Sequence, residues 1–288
     1  MRTLSKPLDN PKHIFLNCIS IIADEDLKER LEKSSDDVAN AAVVYESKIA
    51  VHKLFTIPRN KSTKGNKNIR ILGKITINEM KDVYTSYFAR RGSRGRDLYD
   101  KILAMPKHSK CPYCSHRQVS TVDHYLSKAY FPLLSVVPAN LVPCCKDCNF
   151  SIGSSYPKKA EDELLHPYFD NVESELWLKA RVERTSPVSL NFYVYRPEGW
   201  DELLKDRVQN HFNSLSLNLL YSAEAANELA NLNYQLIKLL AAGGHKAVTE
   251  MLIETSQSRR KASINSWQTA MYTALAEDVW FCSGGFNF

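Results

Sequence analysis

No apolar run in the 288-residue sequence approaches the ~18 residues that a membrane-crossing helix needs, which excludes a helical membrane span. Glycine and proline are scarce, at 10 and 12 residues, and this excludes collagen-like and Gly/Pro-rich low-complexity chains. A secretory leader is also missing from the pattern. The apolar stretch at 14–23 carries Asn17 and Ser20, follows Asp9, and runs into Asp24-Glu25-Asp26 where a small-residue cleavage site would stand. The expectation is a cytoplasmic protein. Internal repeats of 20–50 residues are absent too. What remains is 44% hydrophobic and 24% charged, a globular composition long enough for one or two domains with real cores.

The net charge of +6 is unevenly spread. Residues 48–110 hold sixteen Lys/Arg against four acids (Glu79, Asp82, Asp97 and Asp100), a local +12, so the rest of the chain sums to −6. A basic block on an otherwise near-neutral chain suits a polyanion, nucleic acid first. Within it, Arg90, Arg91, Arg94 and Arg96 are interleaved with two glycines, and guanidinium pairs phosphate bidentately. The lysines between 61 and 74 would extend the same track. The plainer alternative is a solvated basic surface.

Of seven cysteines, five fall between Cys111 and Cys148, while Cys18 and Cys282 stand alone. An odd count and two CxxC pairs argue for a metal rather than a disulfide framework. Cys111 and Cys114, then thirty residues, then Cys145 and Cys148, give four thiolates for one tetrahedral Zn²⁺. Such a site is closed and structural, tying together a segment with too little core to fold alone. The spacing selects Cys145 over its neighbour Cys144, which reads as a buried apolar thiol.

Periodicity sets the frame. Residues 1–54 read as helical, with Val38, Ala41, Ala42, Tyr45 and Ile49 on one face. Residues 69–77 alternate as a strand, and Met80, Val83, Tyr84, Tyr87 and Phe88 form a helical stripe. Segments 177–183 and 189–195 read as a strand pair. From Trp200 to Trp280 the chain is helix-compatible, with breaks expected near Asn213-Ser214, Gly243-Gly244 and Ser263. The apolar residues of this tail (Trp267, Tyr272, Trp280, Phe281, Phe286 and Phe288) suit either a domain core or a docking surface.

Between the knuckles lie Thr121-Val122-Asp123-His124 and Asn140-Leu141-Val142-Pro143, and Asn149 follows the last cysteine. The run CPYC…VDHYL…NLVPCCKDCN resembles the HNH nucleases of the His-Me finger group in their zinc-stapled form, over about residues 109–156. The resemblance implies a β-hairpin and helix gripping one divalent cation, Mg²⁺ or Mn²⁺. It casts His124 as general base, Asp123 and Asn149 as ligands of that cation, and Asn140 as the residue that pins the loop between the strands. The family often carries Lys shortly after the helix Asn, whereas this chain reads Phe150-Ser151-Ile152-Gly153; Lys128, Lys146, Lys158 and Lys159 are the candidates to contact phosphate instead. His166 is a further candidate for the phosphate or the cation, against a structural role.

The phrases DHYLSK, LSVVPANLVPCCKDCN, LLHPYFD and WLKARV are similar to the HNH subunits of Septu-type anti-phage defence, the PtuB-like nucleases that also accompany some retrons. That resemblance implies a PtuA-like ATPase partner and, in the retron case, a reverse transcriptase–msDNA complex. The expected architecture is mainly α with a small β content (α+β). A helical, basic region at 1–108 precedes a zinc-bound ββα-metal finger at 109–171, and a strand pair with a helical domain follows at 172–288. The expected function is a metal-dependent endonuclease, acting on DNA ahead of RNA, as effector of a defence system. The alternatives are a zinc module that binds nucleic acid without cutting it, an assembly subunit without intrinsic cleavage, and a tRNA- or RNA-directed nuclease.

Overall fold

Residues 1–60 and 69–287 are described by the computed structural model. Residues 61–68, with most of the basic loop, and Phe288 lie outside the described residues. The chain is mainly helical with small antiparallel sheets, and it divides into two compact units, Met1–Asp170 and Asn171–Phe288.

The first unit opens with α1 (Pro11–Ile19), α2 (Glu25–Glu32) and α3 (Ser35–Ile49). Their starts follow from local chemistry. Asn10 accepts a hydrogen bond from the His13 amide ahead of Pro11, and Asp24 accepts one from the Leu27 amide, so each satisfies an orphan donor of the first turn. The apolar face of α3 (Val38, Ala42, Tyr45 and Ile49) is buried, where it meets Phe15 and Ile19 of α1 in the core.

Residues 69–77 are not one strand, as their alternation suggested. They form a hairpin of β1 (Arg70–Ile71) and β2 (Ile75–Thr76), turning through Leu72 and Gly73, both at positive φ. Thr76 then ends the sheet by opening a capping box: its hydroxyl accepts from the Glu79 amide at 3.1 Å, and Glu79 accepts from the Thr76 amide at 2.7 Å. The box launches α4 (Ile77–Asp82), which continues as a wider π-turn over Val83–Phe88. Arg30 of α2 pairs with Glu79 at 2.9 Å and fixes this element against the helical base. After an exposed turn, α5 (Arg96–Ala104) buries Leu98, Tyr99 and Ile102. Next come β3 (Thr121–His124), β4 (Leu141–Cys144) and α6 (Lys146–Ile152).

In the second unit β5 (Leu178–Glu183) and β6 (Ser189–Val194) form an antiparallel hairpin. It packs on α8 (Leu217–Ala262) and α9 (Trp267–Glu277), with α7 (Glu202–Ser214) alongside. Leu178, Leu190 and Phe192 supply the buried face. The Asn265 carboxamide ties the α8–α9 link to the start of β5, accepting from the Trp177 amide at 2.8 Å and donating to the Glu175 carbonyl at 2.8 Å. The helical run breaks at Leu215-Ser216, at Gly244 (φ 64°, ψ −164°) and at Ser263, next to the glycine and serine positions that predict breaks. Among the described residues no helix is long and apolar enough to cross a membrane.

Candidate metal centre and active-site pocket

The four cysteines of the two CxxC pairs converge. The Sγ atoms of Cys111, Cys114, Cys145 and Cys148 all lie within 4.8 Å of one another, each residue is buried, and none forms a disulfide. Four sulfurs ~2.3 Å from one Zn²⁺ stand ~3.8 Å apart along a tetrahedron's edges. The Cys114–Cys145 separation of 4.0 Å is close to that edge, so the donor set fits a tetrahedral zinc. Packed this closely the thiols share protons through mutual hydrogen bonds: Cys111 and Cys148 are pushed up, and Cys114 and Cys145 down. A divalent cation would replace those shared protons. Backbone amides support the sulfurs, with Arg117 N–H donating to Cys114 and Cys148 N–H to Cys145, both at 3.4 Å. The Arg117–Asp147 ion pair at 2.9 Å joins one knuckle to the other. Cys144 is buried outside the cluster, and burial pushes its thiol up.

β3 and β4 pair in antiparallel register, with Thr121 opposite Cys144 and His124 opposite Leu141. Along β3 the burial alternates, Val122 and His124 inward, Thr121 and Asp123 half-buried. His124 is the last residue of the strand. Beyond it the chain enters the loop at 127–139, whose Phe131, Leu134, Val136 and Val137 are buried. Asn140, fully buried, holds the two ends of this loop together. Its Oδ1 accepts from the Leu126 amide at 2.8 Å, and its Nδ2 donates to the carbonyls of Leu126 at 3.0 Å and Leu134 at 3.2 Å. One side chain thus satisfies three backbone groups that burial would otherwise leave unpaired.

That loop presents the Ser135 carbonyl to His124 Nε2 at 2.8 Å. A carbonyl only accepts, so in the neutral ring Nε2 carries the proton and Nδ1 keeps its lone pair. Nδ1 lies 3.5 Å from Asp123 Oδ1. Burial holds the imidazole below the usual histidine range, opposed by the Asp123 carboxylate, which accepts from Nδ1 only when the ring is protonated. Tyr84, from the π-turn, closes edge-on over the ring at 4.4 Å and donates its hydroxyl to the Val122 carbonyl.

Asp123, His124 and Asn149 line one pocket of about 320 Å³. Asn149 stands midway along α6, whose first turn Cys145 caps, so the cysteine cluster and the pocket share a helix. Asp123 offers a carboxylate and Asn149 a carboxamide oxygen, hard donors of the kind that could hold Mg²⁺ or Mn²⁺. Lys128 and Lys81 also line the pocket, along with Ser127, Ala129, Gly153 and Ser154. Sequence reasoning did not pick out Lys81: α4 carries it to the pocket, and only the packing of α4 on the 127–139 loop reveals the meeting.

The other candidates lie elsewhere. Lys146 is exposed and does not line the pocket. His166 is buried among Tyr45, Tyr125, Tyr168 and Phe169; its Nε2 is 3.1 Å from the Tyr45 hydroxyl, and its Nδ1 accepts from the Tyr168 amide at 3.1 Å. Arg90, Arg91 and Arg94 are exposed in the turn before α5. Arg96 is drawn inward, paired with Asp100 at 2.8 Å, donating to the Ala89 carbonyl at 2.6 Å and stacked over Tyr99 at 4.4 Å.

Two known proteins are similar to this chain. Protein ea31 of Escherichia phage lambda is 30% identical over 230 residues, covering 74% of this chain and 77% of ea31. Septu protein PtuB of Bacillus thuringiensis is 29% identical over 99 residues, covering 32% of this chain and 38% of PtuB. No family model matches, and no solved structure matches.

Proposed function

The chain belongs to the family of protein ea31 of phage lambda, and we propose that it is a metal-dependent HNH endonuclease that hydrolyses nucleic-acid phosphodiesters. The observation that carries this reading is the His124 ring. Its Nε2 is tied to the Ser135 carbonyl, its Nδ1 is left as acceptor, and Asp123 and Asn149 line the same pocket. Nδ1 takes the proton from an attacking water as the water oxygen forms a bond to phosphorus and the bond to the leaving oxygen breaks. Asp123 and Asn149 are the residues that would hold the divalent cation. When bound, that cation stabilises charge on the phosphate and the departing oxygen. The four cysteines hold a structural zinc that keeps hairpin and helix in register.

The likeness to Septu protein PtuB supports a Septu-type defence role in which a partner, an ATPase by this reading, gates the cut. The DNA-directed form of the reading is tested with supercoiled plasmid and Mg²⁺ or Mn²⁺, beside His124→Ala purified identically. Nicking by the wild type alone supports the assignment, and equal cleavage by both proteins overturns it. If both are silent, adding a PtuA-like ATPase, and then RNA substrates, separates a gated nuclease from a binding module. Continued silence with tight nucleic-acid binding favours the binding module.

A further inference from the structure

The pocket is lined by two lysines from different parts of the fold. Lys81 comes from α4, outside the hairpin–helix, and Lys128 follows β3. Asp123 is the single carboxylate among the described lining residues. Lys128 is half-buried, lines the pocket, and holds its ammonium 4.1 Å from the centre of the Tyr84 ring, a cation–π contact. Its pKa is lowered first by burial and further by the nearby charge of Lys81, with Asp123 acting against both. Two ammonium groups lining one pocket repel one another, and one carboxylate cannot balance them once it also holds a divalent cation. The arrangement favours an arriving anion. The remaining lining is small (Ser127, Ala129, Gly153 and Ser154), which leaves room for a backbone phosphate rather than a bulky side group.

We propose that Lys81 and Lys128 together form a phosphate seat, gripping the non-bridging oxygens of a nucleic-acid phosphodiester against the cation side of the pocket, so that the N-terminal helical segment supplies a substrate-binding group to the active site. The proposal rests on the nuclease reading above and adds to it a binding residue from outside the finger. A phosphodiester brings one negative charge, and the charge on its oxygens grows as water attacks, so both ammonium groups gain as the reaction proceeds.

The test uses the full-length protein with Lys81→Gln, Lys128→Gln and Lys81→Arg. Binding of a fluorescein-labelled duplex oligonucleotide is followed by anisotropy over a KCl series, and plasmid cleavage is followed with Mg²⁺. Lys81→Gln should weaken binding by about tenfold and flatten the log–log salt slope by about one. Zinc content and melting temperature should stay at the wild-type values, and Lys81→Arg should restore most of the binding. Unchanged affinity and slope in both Gln variants would overturn the phosphate seat while leaving the nuclease reading intact. A wild type that binds without cutting still decides the matter through the salt slope. A wild type that neither binds nor cuts, with the PtuA-like ATPase present and with RNA as well as DNA offered, overturns both readings.

Discussion

At His124 one backbone carbonyl decides which nitrogen can act. Ser135 presents an oxygen to Nε2, so the proton sits there and Nδ1 is the basic atom. Burial adds a second effect. It penalises the imidazolium, so the ring loses its proton at lower pH than an exposed histidine, and a cation held by Asp123 would push the same way. The sign is therefore fixed: the working base form is fully present at neutral pH and is lost only as pH falls through the depressed value. The acidic limb of kcat/KM for cleavage should lie below pH ~6.5, the ordinary histidine value. A limb centred above pH ~7 would mean that another group is the base.

Among the elements, the hairpin and helix that carry the cysteine cluster give the sharpest contrast between neighbouring cysteines. Cys111 is in the sulfur cluster and Cys144, one residue before Cys145, is outside it. Cys111→Ser should therefore lose zinc and soluble yield together, because metal binding and folding of such a segment are one equilibrium. Cys144→Ser should keep one zinc per chain by elemental analysis, at a stability cost of ~1–2 kcal/mol for placing a hydroxyl in a buried apolar site. Zinc retained in Cys111→Ser, or lost in Cys144→Ser, would break the assignment. The meeting of the four cysteines, and of Asp123, His124 and Asn149 at one pocket, was legible in the sequence, because CxxC spacing and these polar residues are local signals. What was not legible depends on packing across distant segments. The Ser135 carbonyl reaches His124 only because Asn140 folds the intervening loop back, and Lys81 reaches the pocket only because Arg30 and the Thr76–Glu79 box place α4 there. The 69–77 segment misled for a related reason. Alternation is the same in one strand and in a tight hairpin, and the turn at Leu72-Gly73 shows only in backbone dihedrals.

On the scale of the whole molecule, the uneven charge is the feature that composition revealed first, and the structure divides its arginines into two kinds. Arg90, Arg91 and Arg94 are exposed on the turn before α5, whereas Arg96 is spent on Asp100, the Ala89 carbonyl and the face of Tyr99. Exposed guanidinium groups lower the free energy of a polyanion by releasing its counterions, so their removal appears in the salt dependence of binding. Replacing Arg90, Arg91 and Arg94 together by Ala should reduce the log–log salt slope for oligonucleotide binding by about two to three and leave the melting temperature almost unchanged. Arg96→Ala should do the reverse, lowering stability by ~1–2 kcal/mol through the lost carbonyl hydrogen bond and stacking, with little change in slope. Equal effects of the two variants on the slope would mean that Arg96 leaves Asp100 for phosphate on binding. A flat slope in the wild type would remove nucleic acid as the partner of the basic block, because a local +12 between residues 48 and 110 cannot meet a polyphosphate without displacing salt.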